Sequence, residues 1–362
     1  MEWNSSFYVC HMKMFKFNNM ENRTIRLNLP NNLQGDKVRL LFSNELGQSK
    51  AYVKNILLNN AKVTFNGKEE LEIPVGEEIY SDPLDFTYSD NIQITYFLPK
   101  QKIIYSGNNT GSFSEHSKRG VKEQNFVSTT GLSFLFDVDH FSINSPIPLF
   151  KAVEIYGEAR VISCFGDSIT AGCQWFDCLQ RNIYSDFHNI SMGNAGISGN
   201  RMNSDSPAKF RGHLGKSGIS RFEKDVLEIK GVSHCIISIG TNDIGFPNTI
   251  WSNEKIIPKP KELIKSYKIL TDKCKAQNIK TIGIGILPRD DKDFSPEKNE
   301  IRLQVNEELY NSGFFDLALN CDKVFGADKV NRDYYSKDIL HLSKAGGEAL
   351  GQYIYENIKF MF

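Results

Sequence analysis

Residues Val161-Ile-Ser-Cys-Phe-Gly-Asp-Ser-Ile-Thr-Ala-Gly172 decide how this chain is read. Val161–Phe165 is an apolar run of the length expected for a short buried strand. It runs into Gly166-Asp167-Ser168, and a helix can begin just beyond. A serine there stands on the turn at the carboxyl end of a strand, where open α/β sheets place ligands and chemistry. The turn holds the hydroxyl clear of the sheet. Backbone N–H groups at the following helix start can face an anion.

From residue 161 onward, strand-like and helix-like segments alternate. His234-Cys-Ile-Ile-Ser-Ile-Gly240 is a continuous apolar run, the signature of a strand buried on both faces. Lys280–Leu287 is another, stopped by Pro288. Asn189–Met192 and Phe314–Leu317 are weaker strand candidates. Helical spacing marks Phe222–Ile229, Pro260–Lys275, Ile301–Tyr310 and Ala345–Ile358; in the second, Leu263, Ile264, Tyr267 and Leu270 share a face. Strands alternating with helices predict a parallel sheet between helices, a flavodoxin-like three-layer α/β/α domain.

Residues before about 155 read differently. Thr24–Leu29, Lys37–Phe42, Lys62–Phe65 and Asn91–Phe97 alternate polar and apolar, with turn signals such as Asn66-Gly67 and Ser81-Asp-Pro83 between them. Short strands with regular turns predict a β-sandwich of jelly-roll type. Phe134–Phe136 and Leu149–Ile155 are two late strands, and residues 106–125 form a long polar loop. The expected division is 1–156 for the β-domain and 157–362 for the α/β domain.

Composition narrows the class. In 362 residues, Lys+Arg and Asp+Glu balance at 43 each, so no basic field argues for nucleic acid or an anionic membrane. No apolar run reaches the ~18 residues of a membrane span. The N-terminus lacks the basic and apolar regions of a signal peptide. Seven cysteines show neither C-x-x-C pairing nor zinc spacing. Read as reduced thiols, they favour the cytoplasm.

The strand-end loops of a parallel sheet open on one edge. Here they supply Asp167-Ser168, Asn194-Ala195-Gly196, Gly240-Thr-Asn242-Asp243 and Asp338-Ile-Leu-His341. Together they give a hydroxyl, a glycine N–H, a side-chain amide and a carboxylate–histidine pair. Those are the parts required for acyl transfer. Taken singly, each has a plainer reading: Ser168 as a helix cap, Asn242-Asp243 as turn residues, Asp338 as a surface carboxylate. Gly215-Lys-Ser217 lacks the first glycine of a phosphate loop. No Gly-x-Ser-x-Gly elbow surrounds Ser168.

The four blocks, in this order, resemble the signature blocks of the SGNH (GDSL) hydrolases. Val38–Gly47, Glu72–Pro83 and Arg221–Leu227 are similar to a two-domain subgroup with an N-terminal β-domain. The resemblance implies Ser168 as nucleophile, His341 as general base and Asp338 as its orienting carboxylate. It implies an oxyanion hole from the Ser168 N–H, the Gly196 N–H and the Asn242 amide, with Asp167 and Asp243 in support. No metal or organic cofactor is implied. Family members include lipases, acylhydrolases and carbohydrate esterases. The expected substrate is therefore an acylated carbohydrate or other small molecule, with acetyl the favoured group. The alternatives are a lipid or small-ester acylhydrolase and an inactive carbohydrate-binding protein. Aromatics Tyr80, Phe86, Tyr88, Tyr96, Phe97, Tyr105 and Phe113 are candidates for a sugar-stacking face, and loop 106–125 for a rim of the site. After His341 the chain reads Leu-Ser-Lys, where the subgroup often carries a proline.

Overall fold

The computed structural model describes residues 1–15, 21–108, 114–117, 126–127, 146–327 and 330–362. The chain separates into two compact units. The described residues up to Val161, with His188–Gly193, form the first; Ile162–Phe187 and Asn194–Phe362 belong to the second. The division expected at 156/157 falls inside the first unit. Only Glu158 and Ala159 separate two consecutive strands there, so no linker marks the change in sequence.

The first unit is β-rich. Its long strands are β1 (Glu2–Tyr8), β2 (Arg23–Pro30), β3 (Lys37–Ser43), β4 (Ala51–Leu58), β5 (Asn91–Leu98) and β6 (Phe150–Gly157). One antiparallel sheet contains β1–β6–β3, another β2–β5–β4. Period-2 alternation sends Val38, Leu40 and Phe42 of the first sheet, and Ile92, Ile94 and Tyr96 of the second, into one buried apolar cluster. Strand β1 escapes a hydropathy reading because Asn4, Ser5 and Ser6 are buried along with Phe7.

Several expectations change here. The strand expected at Lys62–Phe65 shrinks to Ala61–Lys62, with Phe65 bridging Lys68. The stretch 106–125 carries strands at Ser106–Asn108 and Ser114–Ser117 in place of an uninterrupted loop. The expected strand at 134–136 and residue Phe113 lie outside the described residues. Phe86, Tyr96 and Phe97 are core residues and present no stacking face, while Tyr80 is exposed with the Arg39 guanidinium over its ring.

Strands β7 (Arg160–Gly166), β8 (Ile190–Gly196), β9 (Val232–Ser238), β10 (Lys280–Ile284) and β11 (Leu317–Leu319) form a further sheet in the order β8–β7–β9–β10–β11. That is the 2-1-3-4-5 order of doubly wound sheets, with its switch point beside the first strand. The pairs β9–β10 and β10–β11 are parallel. Seven helices matter to the site and its support: α1 (Ser168–Ala171), α2 (Gln174–Asp186), α3 (Gly218–Phe222), α4 (Thr241–Gly245), α5 (Pro260–Ala276), α6 (Pro296–Asn311) and α7 (Lys344–Ile358). Helix α2 packs on α7, and α5 on α6. The helix expected at Phe222–Ile229 is instead α3 running into a π-helical turn, Glu223–Leu227. The last strand lies at Leu317–Leu319, because Phe315, read as strand, packs over Gly283 instead. No helix among the described residues is long and apolar enough to cross a membrane.

Candidate active site

Strand β7 delivers the serine. Val161, Ile162, Cys164 and Phe165 are fully buried, so the strand cannot slip along the sheet without exposing its core. Asp167 then caps α1: its Oδ1 accepts from the Ile169 N–H at 3.0 Å. Ser168 is the first residue of this one-turn helix. Its Oγ lies 2.9 Å from His341 Nε2.

The Asp338–His341 loop completes the chain of contacts. His341 Nδ1 lies 2.6 Å from Asp338 Oδ2. Asp338 Oδ1 accepts from the backbone N–H groups of Leu340 and His341, at 3.1 and 3.0 Å. Between the two residues, Ile339 sits at φ 50°, in the left-handed region that a β-branched side chain rarely enters. That reversal lets a carboxylate and an imidazole three residues apart meet. Helix α7 begins shortly after His341, capped by Ser343 Oγ accepting from the Gly346 N–H. It packs closely on α2, which follows α1: a Cβ at Gly351 would stand 2.6 Å from the Trp175 carbonyl oxygen. The same helix pair therefore steadies the elements that carry Ser168 and His341.

Electrostatics fix the protonation pattern. Burial works to raise the Asp338 pKa, but the hydrogen bond and charge of His341, with the two backbone N–H groups, outweigh it and hold the carboxyl at about 2. An ionised carboxylate can only accept, so His341 Nδ1 carries the proton. Its Nε2 lone pair is left for the Ser168 hydroxyl.

Burial pushes Asp167 up to about 7. The Ile169 N–H and the charges of His341 and Arg289 act against this, and Asp243 adds to it. A folded-state pKa above the unfolded one, about 3.9, means that stability is lost as pH rises toward 7. Asn would keep the cap without ionising. Asp167→Asn is therefore expected to gain on the order of 1 kcal/mol relative to wild type as pH rises from 5 to 8. Melting curves across that range check it; parallel curves for the two proteins would refute it.

The expected oxyanion donors are less uniform than the sequence suggests. The Gly196 N–H donates to Asn194 Oδ1 at 2.9 Å, so it is already engaged. Gly196 also lies against α1: a Cβ there would stand 2.4 Å from the Ala171 nitrogen. Asn194 Nδ2 donates to the Thr170 carbonyl at 2.9 Å, tying α1 to the end of β8. Asn242, on α4, donates one amide N–H to the Asn200 carbonyl at 2.9 Å, and the amide has a second. Asp243 accepts from the Met202 and Asn203 N–H groups at 2.7 and 2.9 Å. Burial raises its pKa to about 6 against those two hydrogen bonds. Its place is thus structural, clamping the loop after β8.

Three side chains were not singled out as site residues in the sequence. Asn194 joins two loops, the Asn200 side chain accepts from Arg221, and Arg221 bonds the ends of both β7 and β8. The first two stand in or near a quoted block. Nothing in the charged stretch around Arg221 says that it is buried.

This fold and this serine–histidine–aspartate geometry define a hydrolase of the α/β class. The profile of the GDSL-like Lipase/Acylhydrolase family matches residues 164–349, just over half of the chain, and the chain belongs to that family. No curated protein matches it in a sequence comparison. Among solved structures, it is similar to the lipase/acylhydrolase from Enterococcus faecalis, at 21% identity over 56% of this chain and 96% of that one, TM-score 0.44. It is similar to the aryl esterase of M. smegmatis at 16% identity over 56% of this chain and 100% of that one, TM-score 0.45. A GDSL-like lipase from Bacteroides thetaiotaomicron shares 20% identity over 56% of this chain and 89% of that one, TM-score 0.40.

Proposed function

We propose that this protein is a serine esterase that removes short acyl groups, acetyl first, from a carbohydrate. The observation that carries the reaction type is the hydrogen-bonded series Ser168–His341–Asp338, at 2.9 and 2.6 Å. His341 Nε2 takes the Ser168 proton as Oγ attacks the ester carbonyl carbon. The carbonyl oxygen becomes the oxyanion, facing the Ser168 N–H and the Asn242 amide. The imidazolium then gives its proton to the leaving alcohol, and the acyl group stays on Ser168. Water, deprotonated by the same His341, attacks the acyl carbon and releases the acid. Asp338 holds the imidazole in the required tautomer throughout.

The Gly196 N–H has one proton and already gives it to Asn194, so it can only share it. More of the oxyanion stabilisation then falls to Asn242. Asn242→Ala is expected to lower kcat by about 10²–10³-fold, with KM little changed. Steady-state kinetics check this; a loss confined to KM would remove Asn242 from the oxyanion hole.

The carbohydrate assignment draws on the resemblance of Val38–Gly47, Glu72–Pro83 and Arg221–Leu227 to the two-domain subgroup. All seven cysteines are buried and none is in a disulfide, which fits a reducing, cytoplasmic setting. One feature favours a second reading, a lipid or small-ester acylhydrolase. Just after Asn242, Trp251 stacks between Phe246 and Phe210, and Ile250 and Ile256 are 79% and 84% exposed. An exposed apolar strip suits a long acyl chain. Hydrolysis of p-nitrophenyl acetate, butyrate and octanoate, alongside acetate release from acetylated xylan, separates the two. Acetate release with rates falling beyond short chains supports the carbohydrate reading. Preference for octanoate with no release from xylan supports the lipid one.

A further inference from the structure

We infer that Arg221 is a positioning residue of the acyl-transfer site, its buried guanidinium aligning directly the ends of β7 and β8, which carry the nucleophile and the Gly196 N–H, and through Asn200 the Asn242 amide. The inference rests on the serine-esterase reading above.

Arg221 is 7% exposed, on α3. Its Nη2 donates to the Gly166 carbonyl at 2.8 Å, in the turn that presents Asp167 and Ser168. Its Nη1 donates to the Ala195 carbonyl at 2.9 Å, near the end of β8. Its Nε donates to Asn200 Oδ1 at 2.9 Å. The Asn200 carbonyl in turn accepts from Asn242 Nδ2. Asn200 is held from its other side as well, its Nδ2 donating to the Leu214 and Lys216 carbonyls.

These bonds aim donors as well as fastening loops. A trans peptide is planar, with its C=O and N–H on opposite sides. Fixing the Ala195 carbonyl therefore fixes the direction of the Gly196 N–H. Fixing the Gly166 carbonyl sets the plane from which Asp167 and Ser168 depart. Holding Asn200 fixes the acceptor that orients the Asn242 amide, and so the direction of its second N–H. An oxyanion hole works by donors aimed in advance at the developing charge, so an error of direction costs rate even when every donor is present.

Only arginine fits the position. Its donors lie in a rigid planar fork, whereas a lysine ammonium is a single point. The buried charge is offset by Asp225, whose Oδ2 accepts from Nη1 at 2.9 Å, and by the Phe165 ring, 4.1 Å from the guanidinium carbon. Phe165 is the residue just before Gly166, so the same strand end supplies both the ring and the acceptor.

The test compares wild type, Ser168→Ala, Arg221→Lys and Arg221→Ala on p-nitrophenyl acetate. Each rate is normalised to active serines counted with a p-nitrophenyl phosphonate. Loss of activity in Ser168→Ala first establishes the esterase reading; a wild type without serine-dependent hydrolysis would sink that reading and this inference with it. Given an active wild type, Arg221→Lys is expected to lose about 100-fold in kcat per titrated serine. KM should stay within about threefold, and the acid limb of the pH profile should not move, because the His341–Asp338 pair is untouched. Guanidinium ion added to Arg221→Ala should restore several-fold of the lost kcat. Three results would overturn the inference while leaving the esterase reading intact: kcat per titrated serine within about twofold of wild type, a loss borne entirely by KM, or failure of both variants to present a titratable serine. The last would make Arg221 a residue of the fold alone.

Discussion

Ser168→Ala is expected to lower kcat for p-nitrophenyl acetate by about 10⁴–10⁶-fold while leaving the fold unchanged. The side chain is 6% exposed and its hydroxyl lies 2.9 Å from His341 Nε2, so its removal takes away the attacking atom and little packing. Any remaining rate would come from donors that still polarise the carbonyl toward water. Two measurements make the outcome decisive. Rapid mixing of wild type with p-nitrophenyl acetate should show a burst of one p-nitrophenolate per serine, if deacylation is the slower step, and Ser168→Ala should show none. Mass spectrometry of quenched wild type should find one acetyl group on the peptide containing Ser168. A variant with wild-type turnover would mean that the 2.9 Å contact is a helix-start hydrogen bond and nothing more.

The parts of this site that could be read from sequence are those in which chemistry fixes residue type. A nucleophile, a base, an orienting carboxylate and an amide donor leave few choices, and the loops after β7, β8 and β9 place most of them at predictable points. Ser168, His341 and Asp338 stand in one hydrogen-bonded series. The supporting structure is harder to read, because it depends on backbone direction. Nothing in Asn194-Ala-Gly announces that the asparagine side chain occupies the glycine N–H. Nothing in Asp-Ile-Leu-His announces a left-handed isoleucine. Arg221 opens a stretch, Arg221–Leu227, whose sequence resembles the subgroup without saying what the arginine does, yet its guanidinium bonds the ends of β7 and β8 and the Asn200 side chain.

The fold divides in the same way. Apolar runs such as Cys235–Ile237 mark strands buried on both faces, and alternation marks Asn91–Leu98. Strand β1 is not legible because Ser5 and Ser6 are buried for reasons of tertiary structure. The break of α3 into a π turn is not legible either, since a helical repeat does not record one extra residue in a turn. Of the aromatic candidates for a sugar surface, Phe86, Tyr96 and Phe97 are buried, while Tyr80 and Tyr88 are exposed. Phe42, Tyr96 and Phe150 pack edge-to-face or stacked against one another in the core, as large apolar rings usually do.

Asp338→Asn separates orientation from the presence of a base. An asparagine is nearly the same shape, and its Oδ1 can still accept from the Leu340 and His341 N–H groups. Its amide nitrogen would then face His341 Nδ1 as a donor, which favours the proton on Nε2. In that tautomer the imidazole cannot accept from Ser168. The expected result is a fall of about 10⁴-fold in kcat with KM little altered. A loss of less than about tenfold would show that the tautomer is set elsewhere. The same variant carries a stability signature of determinate sign. In the folded protein the Asp338 pKa is held at about 2, below its unfolded value of about 3.9. Its stabilising contribution is therefore complete above that unfolded value and is lost as pH falls toward 2. Wild type should accordingly lose melting temperature more steeply than Asp338→Asn between about pH 4 and pH 2. The carboxylate is partly exposed, so the difference will be screened by salt. A kinetic loss accompanied by unchanged acid sensitivity would mean that Asp338 orients His341 without its charge being held by that contact. The rate would then depend on the direction of the hydrogen bond and not on its strength.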